Sequence, residues 1–427
     1  MSATPLNLKR SPSVSRLPSR PLPAAVLPWS FVALLAALST ISPFATDTYV
    51  PSLVAVGEDL GATPLQVQQT LSAYMLGLGL MSLWHGSISD ALGRRPVILA
   101  ALSVFTLASL GCALAGNVHM LIGMRLLQGL SGGAGMVIVR AVVRDSVEGH
   151  AAQRLMSRVM LMFGVAPAIA PILGGYLHEW FGWHSVFWFL FLLGVVLTAW
   201  VAIQLPETLA REGRQSLHPL AMAKTFWQIF SSRHFLLLAA TTAASFQVFM
   251  QYIGASSAFL HDQLQLGVTS YGWFFIPVTV GYVGGSMLAG FLAGRVSARH
   301  LVWIAVSIML AAGIENTLWH LIWAPSLLAS ISPIVVATFG LALLSPATQL
   351  LVIDLFPDRR GTAASCLMFI QIMTGVVDLA VVSIALASSP LTLSYGLLGW
   401  VLVALVSWMG YQHLDPPSAV SALPSVV

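Results

Sequence analysis

Long apolar segments alternate with short polar connections along almost the whole chain. A helix-length window predicts twelve apolar segments of about 20 residues, the length that crosses a bilayer core about 30 Å thick. A polar stretch at 206–233 separates the first six from the last six. The predicted spans are 29–54, 67–87, 96–115, 119–143, 155–178, 184–204, 234–258, 270–293, 300–319, 326–353, 362–388 and 392–413. The pattern predicts an all-α membrane protein built from two six-helix bundles.

The composition indicates that these apolar segments are not the buried core of a soluble protein. Of the 427 residues, 57% are hydrophobic and 8% are charged, whereas about a quarter are charged in soluble domains. Residues 1–27 are rich in Pro and Ser and contain four basic residues and no acid. They resemble the basic start of a signal peptide, but the apolar segment behind them is too long and lacks a clear cleavage site. The predicted units are a disordered cytoplasmic tail (1–27), an N-terminal bundle (28–205), a cytoplasmic linker (206–233), a C-terminal bundle (234–413) and a second tail (414–427).

The basic residues predict the orientation. Of the 19 Lys and Arg residues, all except Arg125 fall on alternate connections, together with the N-terminal tail and the linker. Basic residues are retained on the cytoplasmic side of short loops. The opposite connections, such as 55–66, carry acids but neither Lys nor Arg. We therefore expect a multi-pass protein of a bacterial inner membrane, with both termini in the cytoplasm.

Several kinds of chemistry are not indicated. The net charge of +4 comes from loop residues without interleaved aromatics, so nucleic acid is not an expected partner. Cys112 and Cys366 lie in apolar segments and form neither a disulfide framework nor a metal cluster. The sequence has no phosphate-binding Gly-rich loop and no His-Glu-x-x-His pair. We expect no cofactor, no metal and no enzymatic activity.

The loop after the second span carries a compact motif of glycines and charges, at Gly86, Asp90, Gly93, Arg94 and Arg95. Glycines permit a tight turn, and the charges can cap helix ends or pair with neighbouring acids. One interpretation is a well-capped turn that also supplies positive charge. The other is a gating latch that holds the two bundles closed on the cytoplasmic side. A similar stretch follows span eight (290–299), which suggests two related halves that rock against each other.

This loop resembles the signature motif of the major facilitator superfamily, and further motifs extend the resemblance over nearly the whole chain. The stretch beginning at Arg125 resembles the drug:proton antiporters of this superfamily. The Asp-x-Tyr-x-Pro stretch from Asp47, the stretches beginning at Ala141 and Gly182, and the Gly361 motif resemble their bicyclomycin/chloramphenicol-resistance (Bcr/CflA) branch. The resemblance implies the major facilitator fold. It also implies that Pro167, Pro171, Gly174 and Gly175 form the antiporter motif of span five, which limits leak. The alternative for those four residues is a plain helix kink.

Two charges are predicted at similar depth in the N-terminal bundle. Asp47 lies about seven residues from the outer end of span one, and Arg125 about six from the outer end of span four. A charge at that depth costs several kcal/mol unless it is paired or hydrated, which makes both residues functional candidates and possible partners. Burial favours a neutral carboxyl and a nearby guanidinium favours the ionised form, so rocking could switch the proton on Asp47. The alternative is a structural ion pair.

Further candidates are spread over both bundles. Asp378, at comparable depth in span eleven, is either a second site for a proton or cation, or a residue paired locally. Polar and aromatic residues within spans are candidates for the lining of a substrate cavity, although each can also serve in packing alone. These are Tyr49, Gln128, Gln247, Gln251, Tyr252 and Gln371.

The sequence thus favours a proton-coupled exporter of small amphipathic drugs or metabolites. Its expected partners are a small-molecule substrate, protons and membrane lipid, and we expect a monomer. One alternative is uptake by proton symport on the same fold. Another is a membrane receptor or scaffold that transports nothing.

Overall fold

The computed structural model describes residues 28–147, 149–211, 214, 219–256, 259–260, 267–323 and 326–414. These residues form long helices joined by short connections. The helices are α1 (Trp29–Asp47), α2 (Leu53–Asp59), α3 (Pro64–Ser82), α4 (His85–Leu92), α5 (Arg94–Ala113), α6 (Val118–Gly132), α7 (Ala134–Ser146), α8 (Gly149–Phe181), α9 (His184–Gln204), α10 (Pro219–Phe230), α11 (Arg233–Gly254), α12 (Gly272–Leu292), α13 (Ala298–Ile322), α14 (Leu327–Leu355), α15 (Arg360–Val377), α16 (Ser383–Leu386) and α17 (Pro390–His413). The N-terminal tail lies outside the described residues, as does the C-terminal tail beyond Leu414.

The predicted class, an all-helical membrane protein, is confirmed. Within the described residues, eleven helical segments are long and apolar enough to cross a membrane. Helix α3 occupies the position of the second predicted span but is not among the eleven. Its 19 residues include Gln66, Gln68 and Gln69, which lower its mean hydropathy. It nevertheless packs against α6 and α15, and within it Gln68 is buried whereas Gln69 is exposed.

Three predicted spans are interrupted. Span one breaks after Asp47, span four changes from α6 to α7 at Gly133, and span eleven passes into a π-helix at Asp378–Val382. The hydropathy pattern shows none of these breaks because a helix-length window averages over the few polar or small residues around them. Helix α10 was also not predicted, since its segment was read as a polar linker. Its Phe226 and Ile229 are buried on one face.

Two ends of the bundle are useful landmarks. We call the end that holds Gly93 and Glu207 the linker end, and the end that holds Pro51, Trp183 and Tyr271 the far end. The N-terminal half (28–205) and the C-terminal half (234–413) meet along α3 with α15 and along α8 with α12. At the far end, short 3-10 helices at Val50–Ser52 and Val268–Tyr271 also pack together. The division into two bundles at 206–233 stays a prediction.

Candidate functional site

The carboxyl group of Asp47 lies where the first span breaks. Helix α1 ends at Asp47, the next two residues form a turn, and a 3-10 helix follows at Val50–Ser52. Pro51 has no backbone N–H and disfavours an α conformation in the residue before it, so it interrupts the helix here. The Asp47 residue is only 4% exposed. An acid is therefore buried beside irregular backbone, an arrangement that many transporters use at ion sites.

Asp47 has no satisfying partner in this conformation. Among the described residues, its carboxyl group receives no hydrogen bond and forms no ion pair. A charge that is buried without a partner is strongly disfavoured, and a carboxyl group in that position is more stable when it keeps its proton.

Arg125 is fully buried and is directed at the last turn of α1. Its Nη1 donates to the carbonyl oxygen of Ala45 at 2.9 Å and to Oε1 of Gln128 at 2.7 Å. Its Cζ lies 4.5 Å from the ring centroid of Tyr74 and 4.9 Å from that of Tyr49. Aromatic faces attract cations, most strongly where water is excluded. The guanidinium is therefore stabilised by a backbone dipole, an amide and two rings.

Asp47 and Arg125, possible partners by their depth in the sequence, form no ion pair among the described residues. The guanidinium binds the backbone two residues before Asp47 instead of its carboxyl group. The reason is that the rings and the carbonyl already supply negative potential around the cation. Nε and Nη2 of Arg125 nevertheless find no acceptor among the residues that the structure describes. Two donors on this side chain are therefore available to another acceptor when the helices shift.

Tyr49 and Gln128 were predicted to line a substrate cavity, but here they are buried supports of Arg125. The hydroxyl group of Tyr49 shares a 2.8 Å hydrogen bond with Oγ1 of Thr70. Nε2 of Gln128 donates to Oγ of Ser109 at 2.8 Å, while its oxygen accepts from Arg125. The sequence did not indicate Ser109, because a single serine in an apolar span carries no signal.

The predicted antiporter motif packs against the turn that follows Asp47. Helix α8 stays continuous through Pro167 and Pro171, although each proline removes one backbone donor. Gly174 and Gly175 are both buried. A Cβ atom on Gly174 would overlap the backbone carbonyl of Thr48. Glycine at this position therefore lets α8 approach the end of α1 more closely than any other residue would allow.

The predicted cavity residues of the C-terminal half connect neighbouring helices. Gln247, Gln251 and Tyr252 of α11 are fully buried, whereas Gln371 is partly buried. Within the described part of the chain, the side-chain oxygens of both α11 glutamines have no donor. The contacts are Nε2 of Gln247 to the Gln371 carbonyl (3.2 Å), Nε2 of Gln251 to the Leu393 carbonyl (2.9 Å) and Nδ2 of Asn316 to the Tyr252 hydroxyl (2.8 Å). These residues thus fix the position of α11 and leave two acceptors without a donor.

Asp378 has a different environment from Asp47. It is fully buried and begins the π-helix that follows α15. Its Oδ2 accepts a hydrogen bond from Oγ of Ser383 at 2.9 Å, and its Oδ1 accepts one from Nε1 of Trp400 at 2.8 Å. Two donors therefore hold this carboxyl group, and π-helical turns of this kind are frequent at functional sites.

The signature loop forms a network of charges at the linker end. Gly93 adopts φ of +106°, which favours glycine, and joins α4 to α5. The guanidinium of Arg94 pairs with Asp90 and, at 3.1 Å, with Asp145. The backbone N–H of Arg94 donates to Glu207 at 3.0 Å. The loop is therefore bound to α7 and to the start of the linker.

The remaining motif residues and the missed partners complete this network. Nη2 of Arg95 donates to the carbonyl of Ala202 in α9 at 2.7 Å, while a Cβ atom on Gly86 would lie 3.8 Å from Cγ1 of Val137 in α7. The sequence did not assign a site role to Asp145 or Glu207. Asp145 lies in the motif stretch that begins at Ala141, and Glu207 lies near the start of the polar linker. Both segments had therefore been singled out in the sequence, one by its motif and the other by its polarity.

We expect Arg94→Gln to destabilise the protein by about 2 kcal/mol. Removing one partner of a buried ion pair costs more than this, but both carboxylates here are partly exposed and water screens them. Melting of the purified protein in one detergent measures the loss. Arg144→Gln, which changes an exposed neighbour, is the control and should leave the melting temperature unchanged. Equal effects of the two variants would contradict the assigned network.

The fold and its motifs define a class of protein. The chain matches the Major Facilitator Superfamily over residues 35–377, and it belongs to that family. The family consists of membrane transporters of small molecules and not of enzymes. The chain is therefore a multi-pass membrane transporter.

Two individual relatives indicate which branch of the family the chain resembles. The chain is 30% identical to a bicyclomycin resistance protein homolog of Haemophilus influenzae over 66% of its length and 71% of the relative. It is 27% identical to multidrug resistance protein D of Escherichia coli (strain K12) over 78% of its length and 83% of that protein. These names are consistent with the bicyclomycin/chloramphenicol-resistance branch and confirm that resemblance.

A solved structure agrees on the fold. The D-xylose–proton symporter superposes with a TM-score of 0.70, at 12% identity, over 91% of this chain and 98% of that one. At this identity the similarity shows the architecture alone.

Proposed function

We propose that this chain exports small amphipathic drugs or metabolites across the inner membrane in exchange for protons, by alternating access. The observation that carries the proposal is Asp47, an acid buried without a partner at the break of α1. The antiporter motif of α8 packs directly behind it. The printed names of the bicyclomycin and multidrug resistance relatives support export as the direction.

In the proposed cycle, Asp47 keeps its proton while it is buried as described here. When the halves rock and water reaches the α1 break, the proton leaves and the carboxylate becomes available to a cationic or polar substrate. Arg125 cannot lose its own proton and serves as the fixed charge beside this exchange. Its two donors without acceptors offer the newly ionised Asp47 a partner after a modest helix shift.

The remaining residues have supporting roles in this proposal. The unpaired oxygens of Gln247 and Gln251 are acceptors for a substrate donor, with Tyr252 and Gln371 beside them. Asp378 is a second ionisable group whose hydrogen bonds to Ser383 and Trp400 hold it in place. We further propose that the linker end faces the cytoplasm, that the transporter is a monomer surrounded by lipid, and that 206–233 joins two bundles.

Reconstituted vesicles with an acidic interior and an internal pH dye test the proposal. Bicyclomycin, taken from the name of a relative, is the first probe, followed by a panel of amphipathic drugs. Exchange predicts that adding the substrate outside makes the interior more alkaline, whichever way the protein is inserted. Symport predicts further acidification. A silent panel would support the receptor or scaffold alternative and contradict transport coupled to protons.

A further inference from the structure

The two halves exchange buried side chains at the far end. One buried cluster consists of residues from the C-terminal half, such as Tyr252, Phe274 and Leu397. Of the buried residues described in it, Val50 alone comes from the N-terminal half. Val50 is 0% exposed, and its 3-10 segment packs against the 3-10 segment Val268–Tyr271. A side chain of one half is therefore inserted into the core of the other.

The reverse insertion comes from the C-terminal half. Leu379 is 1% exposed and belongs to the buried cluster of the N-terminal half, and the π-helix that carries it packs against α3. A Cβ atom on Gly254 of α11 would collide with Leu379 and would lie 3.1 Å from Oγ of Ser383 and 3.2 Å from Nε2 of Gln68. Gln68 belongs to α3, so this is a tight junction between the halves.

Each inserted side chain stands beside a buried acid. Val50 follows Asp47 by three residues, and Leu379 follows Asp378 directly. Asp47 ends α1 and Val50 lies in the 3-10 helix after the turn, whereas Asp378 and Leu379 both lie in the π-helix. Such segments can change hydrogen-bond pairing without unfolding a whole helix. A rearrangement at either acid is therefore transmitted within a few residues to the junction.

We propose that Val50 and Leu379 are the gate of the far end, and that the charge states of Asp47 and Asp378 control it through these short segments. Control by Asp47 and Asp378 rests on the proposed proton coupling, whereas the gate itself does not. In the closed form described here, each side chain is withdrawn from water. In the open form both side chains become exposed to water between the two halves. Because their burial is favourable, it stabilises the closed form.

A cysteine at Ser52 reports opening. Ser52 is 0% exposed, its Oγ has no hydrogen-bond partner in the described ranges, and cysteine is nearly isosteric with serine. Cys112 and Cys366, both buried, are replaced by alanine to remove background. The purified protein in lipid nanodiscs is treated with a small water-soluble maleimide, which reaches both faces of the disc. Glu58→Cys, at an exposed position of the same end, normalises the intrinsic reaction rate.

We expect Val50→Ala and Leu379→Ala each to accelerate labelling of Ser52→Cys about tenfold. Each variant buries less apolar surface in the closed state, which makes that state less favourable. Val54→Ala and Val377→Ala are the matched controls, because these residues are 38% and 56% exposed, and labelling should not change. Each variant must elute as a single species with a melting temperature near the parent's. Val50→Thr, which keeps the shape and adds a hydroxyl group, replaces the alanine variant if that one does not fold, with the same acceleration expected.

The outcomes separate the gate from the proton coupling. Val50 and Leu379 variants that label no faster than the controls would overturn the gate, as would a parental Ser52→Cys rate equal to that of Glu58→Cys. We expect Asp47→Asn, which mimics the protonated acid, to slow labelling severalfold. Unchanged labelling in that variant, with acceleration by Val50→Ala and Leu379→Ala, would overturn control by Asp47 and leave the gate standing.

Discussion

Asp47→Asn is expected to reduce substrate-driven proton movement to the background of protein-free vesicles. The amide keeps the size of the side chain and fits the buried site at the end of α1, where no partner is lost. It cannot release or take up a proton, so the proposed exchange cycle stops. The reconstituted vesicles described above measure the effect, with the amount of inserted protein determined for each preparation.

Two further variants make this prediction specific. Glu58→Gln removes an exposed acid from α2, in the segment that follows the break, and should leave exchange as in the parent. Asp47→Glu keeps the titratable group one methylene further out and should retain part of the activity. An Asp47→Asn protein that exchanges as fast as the parent would show that another group carries the proton, with Asp378 the first candidate to test.

Gly174→Val should prevent the assembly of a stable protein. The new side chain would have to occupy space already filled by the backbone carbonyl of Thr48, so α8 and the end of α1 must separate. Overpacking a flexible core site costs about 1–3 kcal/mol, and a backbone obstacle cannot rotate away, so we expect a loss at the upper end of that range or beyond. Size-exclusion elution and melting after detergent extraction measure it.

Gly164 provides a control on the same helix. No neighbouring heavy atom lies within 4 Å of a Cβ atom built there, so Gly164→Val should fold and melt like the parent. Gly174→Ala is the milder change and tests the position of the turn beside Asp47 more than the assembly of the protein. Its small side chain would displace that turn. We expect weakened proton exchange in that variant. Equal melting of Gly164→Val and Gly174→Val would contradict the close approach of α8 to α1.

The agreement between predicted and observed spans has a simple origin. The sixth predicted span, 184–204, coincides with α9, and several others differ from their helices by one to three residues at each end. Lipid-facing helices must be apolar over a length fixed by the bilayer, so hydropathy alone locates them. Helix α3 shows the limit of the same rule. Its Gln68 is buried among neighbouring helices whereas Gln69 is exposed, and hydropathy does not contain that difference.

The site was only partly predictable for a related reason. The sequence indicated Asp47 and Arg125 because charges are rare in apolar spans, and their similar depth made each a possible partner of the other. Their actual environments depend on atoms that carry no charge, such as the Ala45 carbonyl and the rings of Tyr49 and Tyr74. Likewise, the role of Ser109 beneath Gln128 arises from the packing of α5 on α6. Sequence spacing within one helix cannot reveal contacts of this kind.

The sequence by itself determined that the chain is a helical membrane protein, where its spans lie, and which charges are unusual enough to matter. It could do so because the cost of placing polar groups in lipid acts residue by residue. Only the tertiary structure decided that Asp47 is buried without a partner, that Arg125 binds backbone and aromatic rings, and that Val50 and Leu379 are inserted into opposite halves. Those features depend on how the breaks in three spans direct the chain, and on close contacts between helices distant in sequence.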